Sequence, residues 1–422
     1  MSARAPGVFK RILANRVLHF ASIGLVCFGV PFVLVTRGLQ ASLRAFSHLT
    51  LPFFGFDIPF IPVVEVLMAA LVLLYVRDKI TKRRVYACLV MFAVFLFSWF
   101  VTDVYLYLSL YDIQANYHYA AYGLMTVLFF RAFYREDRAQ HKLIYAAFAT
   151  CMLISLADEG AQRVASHRVF DLNDNAKDAL GVVMGLIVVH FIMTKYGTAD
   201  LKSIPKGEKR IGEYVKNPAS AIVILGIFTL IFLTVSALFS DPSYWYVTVL
   251  CTFLLFAVAM ALLYATRFKM GRRALSTVIV ILVLAQVVSV FVYWDDGIVF
   301  HSSCVTVYRG VPVPFCDVLV YPNGMVRPAD KHHIFNSEIM GFFANYAPSI
   351  IVVGSNRHGD PNADVNVDAK YGSYLAYSSQ LRRNIQVVTT SPEEACALYN
   401  QYRQEGKNVM LALHATCGGF FY

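Results

Sequence analysis

The sequence predicts an all-α polytopic membrane bundle of about nine transmembrane helices, followed by a small α/β domain. Three observations carry this. The chain is 58% hydrophobic and only 15% charged, against about 25% charged in an ordinary soluble domain, and its mean hydropathy is +0.55. Several apolar runs reach the roughly 20 residues that cross a bilayer. From about Phe300 the pattern changes to short apolar strands alternating with amphipathic segments. The net charge of +10 raises nucleic acid as a partner. The basic residues are gathered in short loops between apolar runs, however, so membrane lipids are the expected partners and nucleic acid is not.

The expected spans, in order, are Val17–Thr36, Phe60–Val76, Val85–Tyr105, Tyr117–Phe130, Leu143–Leu156, Leu180–Thr194, Ala221–Phe239, Tyr244–Ala265 and Leu275–Trp294. The fourth to sixth are short in purely apolar residues and should extend into polar flanks, as protein-packed spans can. The first is too long for a signal-peptide core and reads as a retained helix. Alternate loops differ in charge. Segments 1–16, 77–84, 131–142, 195–218 and 266–274 hold 23 Lys and Arg, whereas 37–59, 106–116, 157–179 and 240–243 hold 5. The positive-inside bias then predicts a multi-pass inner-membrane protein with a cytoplasmic N-terminus and an extracytoplasmic C-terminal domain. Four regions are expected: 1–59 with the first helix and an outer loop, 60–197 as a first membrane domain, 198–299 as a basic linker with three helices, and 300–422 as the α/β domain.

Within that last region, Asp317–Tyr321 reads as a strand, and Pro322-Asn323-Gly324 turns it into a second short one. Asn336 can cap a helix to about Asn345. Ser349–Val353 reads as a buried strand, Ser373–Arg383 as a helix and Ile385–Thr389 as a strand. Ser391-Pro392-Glu393-Glu394 opens a helix with Pro at its first position and a capping box. Gly406 ends that helix before a last strand, Val409–His414.

The chemistry gathers between Asp158 and Gly185. Glu159, Gln162 and Arg163 are spaced to share one helical face. Asp174, Asp178, Gly181 and Gly185 form a single stripe on the next helix, with carboxylates at its outer end and small residues further in. Arg168 and Asp171 lie between these sets. Upstream, His118 and Tyr122 are one turn apart, and Asp103 sits near the outer end of the preceding span. Such groups can cap helices and form ion pairs at the membrane surface. They can also line a polar cleft that binds a headgroup. Acidic side chains in a first turn suit the helix dipole, and Asp171 reads as an N-cap.

These residues resemble the VanZ-like membrane family. Its pattern of Glu-x-x-Gln, then Arg, Asp, Asp, Asn, Gly and Gly is matched by Glu159, Gln162, Arg168, Asp171, Asp174, Asp178, Gly181 and Gly185, with Asp178 where Asn is usual. The family's His and Tyr four apart are matched by His118 and Tyr122. The likeness covers about 60–197 and implies a membrane domain of a kind associated with glycopeptide resistance. The C-terminal region, about 314–417, is similar to the small Mth-like α/β domain. Ile351-Val-Val-Gly354, Glu394-Ala-Cys396-Ala-Leu-Tyr-Asn400 and Glu405 through Cys417 carry that resemblance, which implies no catalytic residues.

Four of the eight cysteines, Cys27, Cys88, Cys151 and Cys251, lie in apolar runs as packing residues. If the C-terminal domain is extracytoplasmic, Cys304, Cys316, Cys396 and Cys417 can pair. Cys304–Cys316 with Cys396–Cys417 is the first expectation of the three connectivities that four cysteines allow. Asp360, Asn362, Asp364, Asn366 and Asp368 hint at a calcium loop, but Val365 and Tyr371 replace the Gly and Glu such a loop needs, so a polar surface loop is expected. No metal or cofactor is expected. The functional expectation is a non-enzymatic outer-face polar cleft that binds a lipid or glycolipid headgroup, with a C-terminal domain that binds or senses a protein partner. An enzyme acting on a lipid-linked envelope substrate and a structural assembly factor are the alternatives.

Overall fold

The structure is a computed structural model. It describes residues 15–34, 49–53, 56–60, 63, 80–102, 113–162, 172–193, 199–205, 210–238, 245–302, 305–314, 317–329, 347–354, 372–378 and 382–413. The chain divides into two compact units, Met1–Ala237 with Pro242–Leu263, and Leu238–Asp241 with Tyr264–Tyr422.

The first unit is helical. Its helices are α1 (Arg16–Leu34), α2 (Lys82–Thr102), α3 (Ile113–Phe133), α4 (Gln140–Gln162), α5 (Leu172–Ile187), the short α6 (Ile211–Lys216), α7 (Pro218–Leu238) and α8 (Trp245–Ala265). A small hairpin, β1 (Thr50–Phe53) with β2 (Phe56–Pro59), follows α1. The second unit begins with α9 (Lys269–Val292). Among the described residues five helices are long and apolar enough to cross a membrane, fewer than the nine spans expected: Gln140–Ala161, Leu172–Met193, Pro218–Ala237, Trp245–Ala265 and Lys269–Val292. The expected second span lies outside the described residues. The fourth, fifth and sixth do run into their polar flanks, because neighbouring helices supply partners for those groups. α9 has no buried residue although it is almost wholly apolar after its basic first turn. Water is a poor solvent for such a surface, and lipid a good one.

The central element is α5, which is buried at every position from Ala179 to Ile187. Small residues make this approach feasible. A β-carbon at Gly181 would lie 2.9 Å from the carbonyl oxygens of His118 and Tyr119 on α3. One at Gly185 would lie 2.6 Å from the Gly123 carbonyl oxygen. The backbones of α3 and α5 therefore touch along the glycine stripe. Around that seam, Met125 and Phe130 of α3, Ile144 and Ala147 of α4, and Val182 and Leu186 of α5 form one core. Tyr119, Leu180 and Phe232 form a second on another side of α5.

After Ile187 the helix widens into a π-turn, Val188–Met193. The carbonyls freed there and just beyond find arginines from the start of α2. Arg83 donates from Nη2 to the carbonyls of His190 (2.7 Å) and Ala199 (2.6 Å). Arg84 donates from Nε to that of Ile192 at 2.9 Å. Two of the basic residues that the loop-charge pattern singles out thus also close a helix end, where cations suit the dipole.

In the second unit, β3 (Ile298–Ser302), β4 (Val305–Tyr308) and β5 (Val311–Pro314) form an antiparallel meander that the strand pattern did not predict. A six-stranded sheet has the order β7-β6-β11-β8-β10-β9, from β6 (Asp317–Val320), β7 (Val326–Ala329), β8 (Ile350–Gly354), β9 (Gly372–Ser378), β10 (Arg383–Thr390) and β11 (Val409–Leu413). Its three middle strands β11, β8 and β10 are parallel, and the others add antiparallel. β8 and β11 are buried throughout and read as continuous apolar runs, as central parallel strands do. The connection from β10 to β11 is α10 (Pro392–Gln404), which contributes Ala395, Cys396 and Tyr399 to the core. Asn400 of α10 clips β3 in place. Its side-chain amide accepts from the Ile298 N–H and donates to the Ile298 carbonyl, both at 2.8 Å.

Three expectations need correction. Ser373–Arg383 is not a helix: Gly372–Ser378 is a strand paired with β10. Ser373, Leu375 and Tyr377 point out while Ala376 is buried, an alternation that a sheet edge uses and a helix cannot. The capping box at Ser391 is half formed. Ser391 accepts from the Glu394 N–H, but the Glu394 carboxylate takes the hydroxyl of Thr390. Cys396 is a buried free thiol rather than half of a disulfide, since it faces the apolar core beneath α10. Cys304, Cys316 and Cys417, the helix expected after Asn336 and the Asp360–Asp368 loop lie outside the described residues.

Candidate functional site

The glycine seam between α3 and α5 decides what meets at the end of it that His118 occupies. Gly181 holds the α3 backbone at His118, and one turn back on α5 is Asp178. His118 Nδ1 lies 2.8 Å from Asp178 Oδ1, and its Nε2 lies 3.7 Å from Asp174 Oδ1. Each ring nitrogen thus faces a carboxylate oxygen. The second oxygen of Asp178 accepts from the Ser155 hydroxyl on α4 at 2.7 Å. Ser155 in turn accepts from the Asn175 amide at 2.6 Å. Lys177 donates to Asp174 at 2.9 Å. One chain of polar contacts therefore ties α3, α4 and α5 together.

This chain is enclosed at one end and open at the other. The Asp178 side chain is 2% exposed, whereas that of Asp174 is 23% exposed. Asp158 and Glu159 of α4 are also buried. Among the described residues, the carboxylates of Asp174 and Asp178 meet the His118 imidazole, and Asp174 also meets Lys177. Burying charges costs several kcal/mol per ion unless partners and hydrogen bonds compensate, so the pairing here is what permits the cluster.

A second group of side chains surrounds it. Tyr122 is buried one turn along α3 from His118, and its hydroxyl faces Ser155 without a formed hydrogen bond. The Cys27 thiol of α1 and the Tyr117 hydroxyl face each other within electrostatic reach of Asp158 and Asp178. Tyr119 and Ser98 join α3 to α2 through hydroxyls 2.5 Å apart.

Of the residues singled out in the sequence, His118, Tyr122, Glu159, Asp174 and Asp178 are placed on three helices that pack together. Gly181 and Gly185 form the seam. Gln162 closes α4, and its side chain lies outside the described residues, as do Asp103, Arg163, Arg168 and Asp171. Sequence reasoning missed Ser155, Asn175 and Lys177. Ser155 was legible in principle, since it stands one turn before Glu159 on the same face. Lys177 was hidden by its neighbours, being the one cation in an acidic turn.

The arrangement has chemical limits. The Ser155 hydroxyl donates to Asp178 and not to His118, so it is not activated as a nucleophile by the imidazole. Among the described residues no three His, Cys, Asp or Glu side chains are grouped to hold a metal ion. Among the described residues the site offers carboxylate acceptors, a lysine and an imidazole on a bundle of apolar helices. In comparisons with known proteins, the chain matches no family model, no curated protein and no solved structure.

Proposed function

We propose that this cluster binds the polar headgroup of a lipid or glycolipid at the outer face of a bacterial-type inner membrane. The observation that carries the reading is the contact chain from Asn175 through Ser155, Asp178 and His118 to Asp174. It fixes a set of hydrogen-bond acceptors at one end of apolar helices and leaves Asp174 partly open. Ionisable groups are retained inside membrane bundles mostly where a ligand or ion uses them. Carboxylates suit the hydroxyls of a sugar or the amine of a headgroup. In this reading the chain has nine spans, a cytoplasmic N-terminus and an extracytoplasmic C-terminal domain that recruits or senses a partner. The asymmetry of 23 against 5 basic residues between alternate loops supports that orientation. The resemblances to VanZ-like and Mth-like domains fit the same reading.

A structural role is the second reading, because the bonds among Asn175, Ser155, Asp178 and His118 lock three helices without any ligand. Asp174→Asn separates the two. Headgroup binding predicts a protein that accumulates normally but loses its co-purifying lipid in mass spectrometry of the detergent-solubilised sample. Unchanged lipid in Asp174→Asn would sink the headgroup reading and leave the lock. A chemically altered lipid product would instead make the protein an enzyme. Impermeant labelling of Cys417 on intact cells tests the topology, and labelling that requires lysis overturns the outside placement.

A further inference from the structure

The second unit carries a basic hollow. A cavity of about 100 Å³ is lined by Arg309, Asn323, Gly324, Tyr399, Arg403 and Lys407, among others. A neighbouring hollow of about 290 Å³ shares Pro322 and Asn323 with it and adds Tyr321 and Asn408. Three cations therefore face a small space. Glu405 offsets only one of them, through its 2.7 Å pair with Lys407. Among the described residues no ion pair joins Arg309 or Arg403 to a carboxylate.

Arg309 is held in this place by unusual means. It sits in the turn between β4 and β5 with φ of +48°, a region that L side chains seldom adopt. Its N–H donates to the Gly297 carbonyl at 2.9 Å. Its guanidinium carbon lies 5.7 Å from the Trp294 ring centre and 5.4 Å from that of Tyr308. Its Nε is buried and has no hydrogen-bond partner among the described residues. Across the hollow, the guanidinium packs against Gly324, where a β-carbon would come within 3.2 Å of Nη1. Arg403 approaches from α10, donating to the Tyr308 hydroxyl at 3.4 Å and standing 5.9 Å from the Tyr399 ring centre.

The same turn is anchored to the end of a membrane-length helix. The Gly310 carbonyl accepts from Gln286 and from Ser289 of α9, both at 2.9 Å. α9 ends at Val292, and Trp294 follows two residues later. Tryptophan favours the membrane–water boundary, so Arg309 is stacked on a residue at headgroup depth.

We propose that Arg309, Arg403 and Lys407 form a binding site for a phosphate-type oxyanion, carried by a phospholipid headgroup or by a soluble phosphate ester. Two planar guanidinium groups and an ammonium match the geometry and double charge of phosphate better than a single carboxylate. Asn323 and Asn408 can add neutral donors at the rim. The site is independent of the headgroup reading for the Asp174 cluster and of which side of the membrane the domain occupies.

The test uses the full-length protein in mild detergent, titrated separately with inorganic phosphate and with phosphatidic acid, with bound species counted by native mass spectrometry. Arg309→Gln and Arg403→Gln are compared with Arg383→Gln, an exposed arginine on β10 that lines neither hollow. The wild type and Arg383→Gln should bind alike, and the other two about tenfold more weakly or worse, the loss expected for one charge-assisted hydrogen bond. Arg403→Gln keeps the test decisive if the Arg309 variant fails to fold, because Arg403 stands on the surface of a helix. Retention of phosphatidic acid alone supports the headgroup source, and retention of phosphate alone supports the soluble one. Binding of neither, or equal loss in Arg383→Gln, overturns the site.

Discussion

Gly185 of α5 lies against Gly123 of α3 so closely that a β-carbon at 185 would stand 2.6 Å from the Gly123 carbonyl oxygen. No side chain can flex away from a backbone oxygen, so the two helices must separate to admit even alanine. Gly185→Ala should lower stability by about 1–3 kcal/mol, the usual cost of overpacking. Thermal melting in detergent would show it. Gly160→Ala on α4 is the contrast, because a β-carbon there meets nothing within 4 Å. It should be neutral or gain up to about 1 kcal/mol of helix propensity. Equal effects at the two positions would refute the seam.

Arg83 spans two carbonyls at the end of the central helix, those of His190 and Ala199. Arg83→Gln should cost about 1.5–3 kcal/mol, the range for a hydrogen bond from a charged donor. Arg135, whose pair with Asp137 is more than 60% exposed on both sides, should change stability by less than about 0.5 kcal/mol when made Gln. The two melting curves, measured side by side, check whether the basic loop residues have structural work beyond orienting the chain.

Cys396 is buried, and that burial, with a smaller contribution from the charge of Glu393, pushes its thiol up to about 12. A thiol so held stays protonated and unreactive at about pH 7.5. Native protein treated with a water-soluble maleimide should leave the Cys396 peptide unmodified, and denatured protein should be modified there without added reductant. Modification that needs reductant would restore the expected Cys396–Cys417 disulfide.

His301 on β3 bonds to the Thr306 hydroxyl at 3.0 Å. Burial lowers its ionisation below the ordinary 6.5, and Glu393 opposes that shift only in part. The folded domain therefore resists protonating this ring more than the unfolded chain does. Its contribution to stability is whole above the unfolded value and is lost as pH falls through it toward the lower folded value. Melting of the full chain between about pH 8 and pH 5 should show that loss, and His301→Gln should flatten it. An unchanged profile in the variant would assign the dependence to other groups.

The polar site shows what spacing along a chain can reveal. His118 and Tyr122, and Asp174, Asp178, Gly181 and Gly185, are each legible as stripes because an α-helix brings residues one turn apart onto one face. Spacing cannot say which stripe meets which. Ser155 escaped notice because a serine in an apolar run reads as packing until a carboxylate is found opposite it. The edge strand Gly372–Ser378 was misread for a related reason. It is only seven residues long, and only pairing with β10 shows that alternation, not helical periodicity, governs it.

By itself the sequence determined that the chain carries several apolar helices of membrane-spanning length, the sign of the loop charges, the β8 and β11 core strands and the start and end of α10. These depend on local periodicity, transfer from water and turn chemistry, all of which act within a few residues. Only the tertiary structure decided that α5 is the central helix, that His118 bridges Asp174 and Asp178, and that Arg309 meets Arg403 and Lys407 at one hollow. Those contacts join residues far apart in the chain, and they follow from which helices and strands approach closely. In the helical unit, the approach is set by two glycines that leave no room for anything larger.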